Sequence, residues 1–76
     1  MQPKDRAQQG LSLIKEAILD ALAQNETGLT NSQIAESLDL RSDYQGGNKD
    51  YLTWSVLGLL LNAGQIRREK RKYFLI

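Results

Sequence analysis

The chain has 76 residues, 41% of them hydrophobic, with no Cys, no His and a formal net charge of +1. This length bounds it to one small domain with a modest core. Without thiol or imidazole groups, thiolate or imidazole zinc sites, His-bound haem and Ser-His or Cys-His nucleophilic machinery are excluded, so no catalytic residue, no cofactor and no metal is expected.

Residues 1–9 are polar and read as a partly disordered tail. From there Leu11, Ile14, Ile18 and Leu22 recur at spacings of three and four, one stripe of an α-helix running roughly from Asp5 to Gln24. Gln24–Gly28 stops that helix, and Leu29 is placed for one or two strand pairings. Thr30-Asn31-Ser32-Gln33 has the form of a capping box, with Thr30 as N-cap and Gln33 three residues on. It opens a second helix, about Asn31 to Leu38, burying Ile34, Ala35 and Leu38.

Leu40 to Asn48 is polar, contains Gly46-Gly47, and reads as a flexible turn. It lacks the Gly-Lys-Ser/Thr of a phosphate loop. A third helix follows from about Lys49 or Asp50 to Ala63, with Asp50 as its cap and Gly64 as its stop. Leu52, Val56, Leu59, Leu60 and Ala63 share one face and are expected to be buried, while Trp54, Leu57 and Leu61 form a second apolar stripe roughly opposite. Beyond Gly64, Gln65–Glu69 and Lys72–Ile76 read as the arms of a β-hairpin. A three-residue loop would set Ile66 opposite Phe74, and a two-residue loop would set it opposite Leu75.

The overall charge conceals an asymmetry. Residues 1–40 set Lys4, Arg6 and Lys15 against six acids, for −3. Residues 41–63 are neutral, and residues 64–76 set Arg67, Arg68, Lys70, Arg71 and Lys72 against Glu69 alone, for +4. A basic patch confined to six residues suits a polyanion. The longest unbroken apolar stretch, Val56–Leu61, is far short of a membrane span, and the N-terminus leads into no signal-peptide core, so a cytoplasmic protein is expected.

Gly28-Leu29-Thr30-Asn31-Ser32-Gln33-Ile34-Ala35-Glu36-Ser37-Leu38 resembles the opening of many winged-helix regulators. Leu59-Leu60-Leu61-Asn62-Ala63-Gly64-Gln65-Ile66-Arg67-Arg68-Glu69, closed by Lys72–Ile76, resembles their exit into the wing. The resemblance covers about residues 11–76. One departure is a link of about ten residues between the second and third helices, longer than the tight turn of a helix-turn-helix. The resemblance implies an α+β fold of three helices and a C-terminal two-stranded wing, in the order α-β-α-α-β-β. It also implies a third helix in the major groove of double-stranded DNA, with the wing on backbone or minor groove.

The expected DNA contacts are therefore Arg67, Arg68, Lys70, Arg71 and Lys72 on the wing, with Gln45, Asn48, Lys49 and Thr53 as donors near the start of the third helix. Trp54, Leu57 and Leu61 at helical spacing read first as packing within the fold, then as a partner or dimer surface, and last as a nucleic-acid contact; they are the candidate partner or dimer surface. The expected function is non-enzymatic DNA binding in transcription regulation or DNA metabolism. The alternative is a winged helix used for protein–protein interaction or dimerisation, with a homodimer or larger protein as partner. Asp43 with Asp50, and Ser42 with Arg41, are the only pairs that suggest chemistry, and neither has a supporting base.

Overall fold

In the computed structural model, the backbone of residues 2–44 and 47–76 and the side chains of residues 2–41 and 50–76 are described. The described elements run α1 (Pro3–Ala23), β1 (Leu29–Thr30), α2 (Asn31–Ser37), β2 (Ser42–Tyr44), β3 (Gly47–Lys49), α3 (Tyr51–Asn62), β4 (Ile66–Glu69) and β5 (Lys72–Leu75). The fold is α+β. β1, β5 and β4 form an antiparallel sheet in that order, and β2 pairs with β3 apart from it.

α1 starts at Pro3, a residue whose fixed φ suits the first helical turn and whose missing N–H is no loss there. Residues 3–9 are thus helical, not the tail expected from their polarity. Their side chains are exposed, and only from Leu11 does the helix meet the body of the domain. Ile18 and Leu22 are fully buried, with Leu11 and Ile14 packed partly against the same core.

α2 begins with the anticipated capping box. The Gln33 amide donates to Thr30 Oγ1 (3.1 Å), and the Thr30 amide donates to Gln33 Oε1 (2.9 Å). α2 and α3 end alike. Asp39 and Gly64 both take left-handed φ, +56° and +73°. In each case the next amide reaches back to the helix, Leu40 to the Ala35 carbonyl and Gln65 to the Leu60 carbonyl, which satisfies carbonyls the helix leaves open.

Where the sequence reads as a flexible turn, β2 and β3 pair Ser42 with Lys49, Asp43 with Asn48 and Tyr44 with Gly47. Apart from Tyr44 these are residues of low strand preference, so pattern alone gives no warning of the hairpin.

α3 is rotated from its expected orientation. Thr53, Val56, Leu57 and Leu60 are buried, whereas Leu52 and Leu59 are exposed and Ala63 lies at the surface. The helix is apolar almost all round, so its period cannot select a face. At the C-terminal ribbon the two-residue loop holds, with Ile66 opposite Leu75 and Glu69 opposite Lys72. Ile66 and Tyr73 enter the core with Ile18, Leu22, Ile34, Val56, Leu57 and Leu60. Burying each of the larger side chains stabilises by about 1.5–3 kcal/mol.

Gly28 sits at φ +85°, and a Cβ there would lie 2.6 Å from the Phe74 ring. Gly28→Ala should therefore lower stability by about 2–4 kcal/mol, combining left-handed strain with overpacking. Asp39→Gly should raise it by roughly 0.5–1 kcal/mol. Urea denaturation midpoints at constant slope measure both.

Candidate nucleic-acid interface

The five cations of the ribbon do not form a single patch. Alternation along β4 and β5 places Ile66, Arg68, Tyr73 and Leu75 on one side of the sheet, and Arg67, Glu69, Lys72 and Phe74 on the other. Ile66 and Tyr73 are buried, so the first side is the one that faces the helices.

On the outer side Arg67 is engaged within the ribbon. Its guanidinium pairs with the Glu69 carboxylate and lies 4.4 Å from the Phe74 ring centroid. Both members of the ion pair are well exposed, so the pair adds little stability. It does offset one positive charge of the tip.

Arg68 is held differently. Its Nε donates to the Lys70 carbonyl (2.9 Å), and its guanidinium lies 5.7 Å from the Tyr73 ring centroid. Lys70 itself takes φ +57° to make the turn. These contacts orient the guanidinium, and the terminal nitrogens carry no ion pair among the described residues. A guanidinium so held can present a paired set of donors to phosphate. Arg68 and Arg71 line a cleft of about 280 Å³ together with Thr30, Asn31, Ser32, Trp54 and Tyr73. Lys70, Arg71 and Lys72 are exposed at and beside the loop.

The opposite wall of this cleft is set by a hydrogen-bonded link between the starts of α2 and α3. The Thr53 hydroxyl donates to Asn31 Oδ1 (2.6 Å), and Asn31 Nδ2 donates to the Asp50 carbonyl (3.1 Å). Ser32 Oγ donates to Asp50 Oδ2 (2.8 Å). Asp50 Oδ1 lies 3.4 Å from Arg41 Nε, an ion pair without hydrogen-bond alignment. Asp50 occupies the N-cap position of α3, yet its side chain makes no cap hydrogen bond. It joins the two helices instead of ending one.

The expected site residues divide accordingly. Arg68 and Arg71 share the cleft, and Arg71 also borders a second depression with Lys70 and Lys72, while Arg67 lies on the outer side. Thr53 is 0% exposed, so it reaches no ligand and the expectation of a DNA-donating hydroxyl is corrected. Leu57 is likewise 0% exposed and is a core residue, not a partner surface; Leu61 packs partly against the same core. Trp54 stays outside at 60% exposure. Gln45 lies outside the described residues, as do the side chains of Asn48 and Lys49, and of Ser42 and Asp43. Thr30, Asn31 and Ser32 were legible only as a capping segment; their place beside the arginines depends on β1 pairing with β5.

Among the described residues there is no group of three acidic side chains able to hold a metal ion, and no helix long and apolar enough to cross a membrane. No family model, curated protein or solved structure matches the chain.

Thr53→Val keeps the shape of the side chain and leaves Asn31 Oδ1 without its donor. A loss of about 1–2 kcal/mol is expected, read as a lower thermal or urea midpoint. Ser55→Ala, on the exposed face of the same helix, should be nearly neutral.

Proposed function

We propose that this chain is a DNA-binding domain of winged-helix type that acts by binding alone, in transcription regulation or DNA metabolism. The reading rests on one observation above the others. A rigid ribbon, tied to the body by β1 and by the buried Ile66 and Tyr73, carries exposed cations at its tip and turns Arg68 and Arg71 towards a cleft beside α3. The Arg68 guanidinium, held by the Lys70 carbonyl and the Tyr73 ring, loses little side-chain freedom on meeting a phosphate, and the ribbon sets the spacing of the other cations beside it. The order of α1, β1, α2, α3 and the ribbon agrees with the winged-helix resemblance, and β2–β3 fills the long link that departs from it.

Binding to a generic duplex should weaken as salt rises, with a log–log slope of about −0.9 for each phosphate neutralised. Arg68→Ala and Arg71→Ala should each reduce that slope by roughly one. Arg67→Ala should change it less, since Glu69 already offsets that charge. Fluorescence anisotropy across a salt series measures all three. Full affinity after joint replacement of Arg67, Arg68, Arg71 and Lys72 by Glu would reject the reading.

Assembly is the second reading, and the rotation of α3 changes its basis. The exposed leucines of α3 are Leu52 and Leu59, at 44% and 45% exposure, on a face away from Leu57. If that face joins two copies, the wild type should sediment as a dimer and Leu59→Lys as a monomer.

A further inference from the structure

Trp54 is the sole tryptophan of the chain. It is 60% exposed, one helical turn from Tyr51, which is 68% exposed. Two of the chain's largest side chains thus stand exposed together at the start of α3. Trp54 also lines the cleft that holds Arg68 and Arg71, so an aromatic face and two guanidinium groups border the same space.

The exposed residues in the first two turns of α3 are Tyr51, Leu52, Trp54 and Ser55. A helix that reads a duplex through the major groove does so chiefly with Arg, Lys, Asn or Gln against base edges. None stands at these four positions. What they offer is ring surface, and ring surface recognises the face of a base. Inside a duplex that face is covered by neighbouring pairs and opens only at the two ends, whereas an unpaired nucleotide can present it anywhere along a strand.

Resting on the DNA-binding reading above, we propose that Trp54 is a stacking platform for an unpaired base. The ligand of this cleft is then DNA with a single-stranded extension, its phosphates held by Arg68 and Arg71. The charge of the cleft complements the backbone, and the indole supplies the contact that separates single strand from duplex. Stacking is tolerant of base identity because every base has a π-face, so this contact would select structure and not sequence.

The uniqueness of Trp54 makes the test direct. Anisotropy would compare a blunt duplex with the same duplex carrying a short oligothymidine extension, while tryptophan emission is followed in parallel. The extended duplex should bind more tightly, on the order of 10-fold, and should quench the emission where the blunt duplex does not. Trp54→Ala should remove the preference, read as the ratio of the two affinities, while leaving the thermal midpoint unchanged, since the side chain is largely exposed. Trp54→Phe should keep most of the preference. Equal affinity for the two ligands without quenching, alongside salt-dependent binding of the blunt duplex, would overturn the platform and leave the DNA-binding reading intact. Failure to bind either ligand would overturn that reading and the platform with it.

Discussion

Thr30 and Asn31 set the relative placement of three elements within two residues of chain. Thr30 ends β1, where it pairs with Lys72 of the ribbon, and it also caps α2 through the reciprocal hydrogen bonds with Gln33. Asn31, the first residue of α2, bonds the Thr53 hydroxyl and the Asp50 carbonyl at the start of α3. Ribbon, second helix and third helix are thereby coupled through short polar contacts, and buried polar contacts are directional in a way that apolar packing is not. The position of Arg68 and Arg71 relative to Trp54 follows from this coupling.

The apolar core supplies the cohesion that the polar link lacks. Ile66 and Tyr73 draw the ribbon into contact with Ile18, Leu22 and the buried face of α3. On the other side of the sheet, Phe74 lies over Gly28, where the absence of a side chain allows the ring its close approach. The ribbon is therefore held from both faces near its base, while its loop extends into solvent. That division leaves the root of the ribbon fixed and its tip accessible.

Electrostatics then distinguishes cations that look equivalent in a list of residues. Arg67 and Arg68 are neighbours in sequence but point to opposite sides of the sheet, one toward Glu69 and Phe74, the other toward the Lys70 carbonyl and the cleft. Strand alternation separates them, and the local ion pair weakens the field of one without touching the other. The useful positive charge is smaller than the net charge of the segment and more narrowly directed.

Much of the architecture is legible in the chain itself, because local rules dictate it. The α1 stripe from Leu11 to Leu22, the Thr30–Gln33 box and the Gly64 stop are each enforced by neighbours within a few residues, as is the concentration of charge at 67–72. Long-range choices are not. The face that α3 buries also carries the Thr53 hydroxyl to Asn31, a partner 22 residues away. That choice moved Leu57 into the core and left Leu52 and Leu59 outside. The register of the ribbon was settled by the burial of Ile66 and Tyr73 on one side, and the pairing of β2 with β3 arose among residues that, apart from Tyr44, have little strand preference. Periodicity reports which faces are apolar; only packing in three dimensions decides which of them is covered.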